Sequence, residues 1–266
     1  MRLSYSAMST FTQCPQKYKW QYIDRIKTPP SPELFFGSLI HDVLEFALKN
    51  DPIVPQLEKI LAYYDQNWKK QVFKGDISEK EFYDSGIEII KTFYNSHKPG
   101  LTTVLETEKF FEIYWEGHKI VGKIDRVDRL PTGEIEIIDY KTNKKLPGED
   151  DFHYDLQLPL YAWAAETLWS DTKNVRLTLH FLRHNKKISP TNIKSRADLE
   201  QFIRDIVIEI NKNEFPAKVG PLCGWCDYLF QCEKGKKYLE AKNKKGKTQN
   251  YSLNNQARSG AQATLF

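Results

Sequence analysis

Two stretches of the sequence bring acidic and basic side chains into a pattern that can do chemistry: Gly122-Lys-Ile-Asp125-Arg-Val-Asp128 and Ile137-Ile-Asp139-Tyr-Lys141-Thr142. Pro131-Thr132-Gly133 between them reads as a turn joining two strands. A hairpin centred on Thr132 places Asp125 opposite Asp139, and a glycine bulge in the turn would shift that register by one. Opposed side chains in an antiparallel pair have Cβ atoms about 4.5–5.5 Å apart. Two carboxylates at that separation repel unless a positive charge lies between them. A divalent ion such as Mg²⁺ or Mn²⁺ supplies the charge, accepts oxygen ligands and keeps waters, which leaves room for a phosphate. Lys141 follows Asp139 by two residues and so projects from the same strand face. Its ammonium could orient or help deprotonate an attacking water and steady the charge building on phosphorus. Taken alone, an Asp-x-Lys triplet is more often an exposed ion pair that contributes little.

Other residues share the pattern. Gly37-Ser-Leu-Ile-His41 offers an imidazole that could add a ligand to the same ion, although a single helical histidine is commonly structural. In Gln157-Leu-Pro-Leu-Tyr161, Gln157 and Tyr161 are four apart and share one helix face, from which both can donate hydrogen bonds to a phosphate or a flanking carboxylate. Pro159 falls in the first turn of that helix, where a missing N–H is tolerated.

The elements that must hold these groups follow from periodicity. Residues 4–23 read as two short helices broken at Cys14-Pro15, and 28–32 as a proline-rich connector. Helices are expected over about 36–48, 55–71 and 78–97, forming a helical lobe at about 36–100. Residues 103–115, 119–130 and 134–141 are rich in β-branched and aromatic types and read as strands. A helix at 155–169, a strand at 175–184 and a helix at 195–213 complete a catalytic core at about 101–213, an α/β arrangement. The 266 residues are 40% hydrophobic, enough for a sizeable core in one large domain over 1–235. Residues 236–266 read as a basic, flexible tail. The net charge is only +4, but seven of the fourteen positions from Lys234 to Lys247 are lysine, a pattern that attracts polyanions or simply solvates a tail. No apolar run approaches a membrane span, and the N-terminus lacks a secretory core, so a reducing cytoplasm is the expected location.

There, four cysteines favour metal ligation over disulfides. Cys223-x-x-Cys226, Cys232 and the distant Cys14 make a soft four-sulfur set suited to zinc or to an iron–sulfur cluster. Either would staple the N-terminal helix to the C-terminal segment and couple folding to metal binding.

Taken in order, Gly-x-x-x-His, Gly-x-x-Asp-Arg-x-Asp, Ile-Asp-Tyr-Lys-Thr and Gln-x-x-x-Tyr resemble the RecB-type branch of the PD-(D/E)XK nucleases. The resemblance implies a restriction-endonuclease-like mixed sheet flanked by helices and Mg²⁺- or Mn²⁺-dependent hydrolysis of DNA. It implies His41, Asp125, Asp139 and the Tyr140 carbonyl as metal ligands, Lys141 as the catalytic lysine, and Gln157 and Tyr161 as supporting residues. The early cysteine in Cys-Pro-x-x-Tyr and the three late ones are similar to the iron–sulfur subgroup, which includes the AddB nuclease domain and the CRISPR-associated RecB-like exonucleases. That likeness implies a 4Fe–4S cluster at Cys14, Cys223, Cys226 and Cys232, with zinc as the alternative. It also implies a single-strand exonuclease acting at DNA ends in repair, recombination or CRISPR adaptation. Partners in that picture are a helicase or CRISPR adaptation proteins. Aromatics near the cysteines (Tyr18, Trp20, Tyr22, Trp225) could stack on bases, or shield a cluster. The ending Gln262-Ala-Thr-Leu265-Phe266 resembles the short peptide by which DNA-processing proteins grip a sliding clamp. A reading from another class is a non-catalytic or partner-dependent DNA-binding component of a helicase–nuclease complex, for which Asp139→Ala would change nothing.

Overall fold

The computed structural model describes residues 1–73, 78–148, 152, 155–170 and 174–244. They fall into two compact units, one built mainly from 32–196 and the other from 3–31 together with the segment after 196.

The chain opens with β1 (Arg2–Ser4) and α1 (Tyr5–Gln13). The Ser4 hydroxyl caps α1 by accepting the Ala7 N–H at 3.2 Å. Cys14 is extended (φ −162°, ψ 107°) and Pro15 restarts the helix as α2 (Pro15–Tyr18), which runs into a π-helical turn at Lys19–Ile23. The break therefore falls at Cys14-Pro15 as expected, because proline at a first helical position lacks only an N–H that would be unpaired anyway.

The larger unit begins with α3 (Pro32–Leu48), α4 (Leu57–Asn67) and α5 (Ser78–Ser96). Their apolar stripes meet in one core, with Phe36, Ile40 and Leu44 from α3, Ile60 and Tyr64 from α4, and Phe82, Ile90 and Phe93 from α5. The chain then forms β2 (Thr103–Trp115), β3 (His118–Arg129), β4 (Ile135–Lys141), α6 (Gln157–Leu168), β5 (Val175–Phe181) and β6 (Lys186–Ile188). β2 and β4 both lie antiparallel to β3, β5 is parallel to β4, and β6 is antiparallel to β5, which gives a mixed sheet. α6 packs on β2 and β5, so β4 is covered and buried from Ile135 to Tyr140.

Register sets the site. Arg126 faces Ile138 and Val127 faces Ile137, and the same register carried one step puts Asp125 opposite Asp139. Across the other edge of β3, Thr107 faces Arg126 and Lys109 faces Ile124, which puts Glu108 opposite Asp125. Three carboxylates therefore stand on one rung of three adjacent strands. Two glycines make the hairpins possible. Gly133 takes φ +88° in the turn, with its N–H donated to the Leu130 carbonyl at 2.8 Å. Gly122 lies under the Phe111 ring, where a Cβ would come within 2.4 Å of a ring carbon. The rest of the first motif is architectural. Arg126 forms a buried bidentate pair with Asp128, both bonds at 2.6 Å, and the Thr102 hydroxyl donates to the same carboxylate at 2.7 Å.

The strand expected over 175–184 ends at Phe181. Asn185, at φ +45°, then turns the chain into β6, a conformation asparagine tolerates better than most residues.

The second unit also contains α7 (Arg196–Asn211), which buries Leu199, Ile203 and Ile206, and α8 (Glu233–Lys244). Its two sequence-distant parts meet through aromatic rings. Tyr18 stacks on Phe215 with centroids 6.2 Å apart, Trp20 lies 5.7 Å from Tyr228, and the Tyr228 hydroxyl donates to the Ile26 carbonyl at 2.9 Å. α8 corrects the expectation that a basic, flexible tail begins at 236, since the helix runs on to Lys244. Gly235 and Leu239, one turn apart, are both buried and anchor it despite the surrounding lysines. No helix among the described residues is long and apolar enough to cross a membrane.

Candidate active site

β4 delivers Asp139 and Lys141 to one face, and α6 brings Gln157 and Tyr161 to meet them. The four side chains close a ring. Lys141 Nζ lies 2.7 Å from Asp139 Oδ2 and donates to Gln157 Oε1 at 2.8 Å. Gln157 Nε2 donates to the Tyr161 hydroxyl at 2.8 Å, and Tyr161 reaches Asp139 Oδ1 at 3.1 Å. Asp139 Oδ1 is thus hydrogen-bonded, while the buried Oδ2 meets the Lys141 ammonium as an ion pair and has no hydrogen bond. Burial works against the charged form of Lys141, but the Asp139 charge and its hydrogen bond outweigh that and raise the pKa, so the ammonium is retained. Asp139 is pushed up chiefly by burial, with Lys141 opposing and Asp125 adding to the rise.

His41 of α3 completes the constellation from the lobe. Its Nε2 is 3.1 Å from the Tyr140 carbonyl, while Nδ1 is 3.3 Å from Asp125 Oδ1 and 3.8 Å from Glu108 Oε1. Burial lowers the imidazole pKa, yet the hydrogen bond and charge of Asp125, with the charges of Asp139 and Glu108, raise it to about 9. Asp125 Oδ2 accepts the Tyr140 N–H at 2.7 Å, so one peptide group grips both the histidine and the aspartate. The ligand atoms of His41, Glu108 and Asp125 lie within 4.8 Å of one another. Octahedral coordination with bonds of about 2.0–2.1 Å sets neighbouring ligands about 3 Å and opposite ones about 4 Å apart, so this donor set fits a divalent cation.

Two residues of the site were missed from sequence. Glu108 is one of several glutamates in β2, and only the register to Asp125 singles it out. Asp155 is buried and its Oδ1 accepts the Gln157 and Leu158 N–H groups at 2.6 and 3.4 Å, capping α6 beside Lys141. The signal for it was an aspartate just ahead of a helix start.

The cysteines form a separate group in the second unit. All four are free thiols. Backbone N–H groups of Lys218, Gly220 and Gly235 donate to the sulfurs of Cys14, Cys223 and Cys232 at 3.4, 3.4 and 3.3 Å. Burial raises the Cys223 pKa, the Gly220 N–H opposes it, and Cys232 and Cys14 lie near enough to add to the rise. No three of the sulfurs come within 4.8 Å of one another, so they are not gathered as the His41 group is. Gln262, Leu265 and Phe266 lie outside the described residues.

Comparison with known proteins decides the ancestry of this arrangement. The family model for the PD-(D/E)XK nuclease superfamily matches residues 2–233. The chain belongs to that superfamily. Among relatives of this nuclease family, one of the component chains of the ATP-dependent helicase/deoxyribonuclease of Streptococcus agalactiae serotype Ia is 30% identical over 152 residues. The match takes in 54% of this chain and only 14% of the streptococcal one. Gene 69 protein of Mycobacterium phage L5 is 24% identical over 287 residues, spanning 86% of this chain and 95% of the phage protein. A solved structure from Eubacterium rectale, provisionally named an exonuclease, shares the fold with a TM-score of 0.51 at 13% identity, over 89% of this chain and 87% of that one.

Proposed function

We propose that this member of the nuclease superfamily hydrolyses DNA phosphodiester bonds with a divalent cation, Mg²⁺ or Mn²⁺, acting on single strands from their ends. The observation that carries the reading is the closed ring of Asp139, Lys141, Gln157 and Tyr161 set beside His41 and Asp125. His41, Asp125, Asp139 and the Tyr140 carbonyl would hold the cation, which supplies Lewis-acid polarisation of the scissile phosphate. The protein does the positioning. Lys141 is held protonated by Asp139, which suits it to orient the attacking water and to stabilise charge on the phosphate oxygens rather than to act as the base. Gln157 fixes the ammonium, and Tyr161 fixes Asp139 from the other side. The end preference and a helicase partner draw support from the names of the helicase/deoxyribonuclease relatives and the exonuclease-named fold neighbour, and the single-strand preference rests on the motif resemblance alone.

The four cysteines are read as holding a 4Fe–4S cluster that stiffens the second unit. Support comes from their order in the sequence and from the N–H groups aimed at three of the sulfurs, a setting that favours thiolate ligands.

Anaerobically purified protein, assayed for iron, should degrade end-labelled single-stranded DNA with Mg²⁺ or Mn²⁺ and not in EDTA. Lys141→Ala should reduce the rate by about 10²–10³-fold, the usual effect of removing one group that stabilises transition-state charge. Metal-independent cleavage, or none by folded protein, defeats the enzymatic reading, and iron-free protein defeats the cluster.

A further inference from the structure

The register and the donor geometry point to Glu108 as a direct ligand of the divalent cation, a role that the PD-(D/E)XK motifs leave unassigned. We infer this on the reading that a divalent cation binds beside His41 and Asp125.

Three observations converge. First, Glu108 Oε1 faces His41 Nδ1 at 3.8 Å, on the side of the imidazole that also meets Asp125 Oδ1 at 3.3 Å. The ligand atoms of His41, Asp125 and Glu108 all lie within 4.8 Å of one another, close enough for one ion to draw them together. Second, the Glu108 side chain is only 10% exposed and stands beside the Asp125 carboxylate. A glutamate placed only for solubility would turn to water. This one is held in a desolvated position against a like charge, which a cation between the two relieves. Third, Glu108 adopts φ +51° within a 13-residue strand. A non-glycine residue in the left-handed region costs roughly 1–3 kcal/mol and persists where the surroundings demand it. Lys123, on the neighbouring strand, supplies part of that demand. It ion-pairs with Oε2, the oxygen turned away from His41, and so leaves Oε1 for the cation.

Mn²⁺ titration of the full-length protein by calorimetry or by the loss of free-Mn²⁺ spin resonance reads the ligand directly, without turnover. Glu108→Gln should weaken Mn²⁺ binding at least tenfold, while Glu106→Gln, two residues away on the same strand, should leave it unchanged. Lys123→Met separates ligand from ion-pair partner. It should move the affinity by no more than about threefold, because the carboxylate remains. Equal losses in Glu108→Gln and Lys123→Met would overturn the proposal by making the pair merely structural. Unchanged affinity in Glu108→Gln, with circular dichroism confirming the fold, would also overturn it while leaving the nuclease reading intact. A wild-type protein that binds no Mn²⁺ would remove both.

Discussion

His41 is the residue at which proton and metal compete. Its imidazole sits between the Tyr140 carbonyl and two carboxylates that raise its pKa to about 9, so at neutral pH the nitrogen that faces Asp125 and Glu108 carries a proton. A metal ligand must be neutral, and binding therefore expels that proton. Mn²⁺ titrations near pH 7.5 in buffers of different ionisation enthalpy should report release of about one proton per ion, and the affinity should tighten as pH rises toward 9. A buffer-independent heat would show that His41 is neutral or uninvolved. The sign for stability is opposite. The raised pKa stabilises the metal-free fold fully below about 6.5, and this contribution fades as pH rises through about 9. At this scale the sequence was informative where a motif carried spacing. Asp139 and Lys141 two apart on a strand, and Gln157 and Tyr161 four apart on a helix, had to share faces. Glu108 was not legible, since its partner lies 17 positions away and only strand pairing brings them level. Asp155 was hidden in a different way, because an acidic residue before a helix is ordinarily just a cap.

The elements gave themselves away in proportion to their length. β2 was expected at 103–115 and spans Thr103–Trp115, and β3 and β4 differ from expectation by a single residue at each displaced end, because long runs of β-branched and aromatic residues leave little ambiguity. β1 and β6, three residues each, cannot display a period of two and were not anticipated. α8 was underestimated because its helical stripe is a glycine and a leucine among lysines. The pairing of β2 with β3 makes a sharp demand at Gly122, since the Phe111 ring occupies the space a methyl group would need. Gly122→Ala should destabilise the larger unit by about 1–3 kcal/mol, the range for overpacking a closed core, as read from the urea midpoint at constant slope. An unshifted midpoint would mean that Phe111 yields freely and that the glycine is not a packing requirement.

For the molecule as a whole, the sequence predicted an α/β nuclease fold; the proline-rich connector at 28–32 marks one boundary between the two units, whereas no change in composition marks 196–197. Net charge was equally uninformative, and acid sensitivity has to be sought in the buried groups. His180 is the main one. Burial, with the charges of Lys187 and Arg126, lowers its pKa to about 4 against a weaker opposing hydrogen bond from Asn185. A histidine buried neutral lends stability that is complete above about pH 6.5 and is lost as pH falls through about 4. The loss should approach about 3 kcal/mol. Chemical denaturation of wild type and His180→Gln between pH 7 and 4 should show a shallower decline in the variant; parallel declines would place the acid-labile group elsewhere.

The unit assembled from residues 3–31 and the segment after 196 has a consequence for biosynthesis. A ribosome makes Tyr18 and Trp20 long before it makes Phe215 and Tyr228, the rings against which they rest. At about 5–20 residues per second, that interval is on the order of 10–40 s. The intervening residues can fold as they emerge, but the amino-terminal aromatics lack these partners until Phe215 and Tyr228 have been made. Ribosome-bound chains stopped before Phe215 should therefore cross-link to a holding chaperone through their first thirty or so residues, and chains extended past Tyr228 should not.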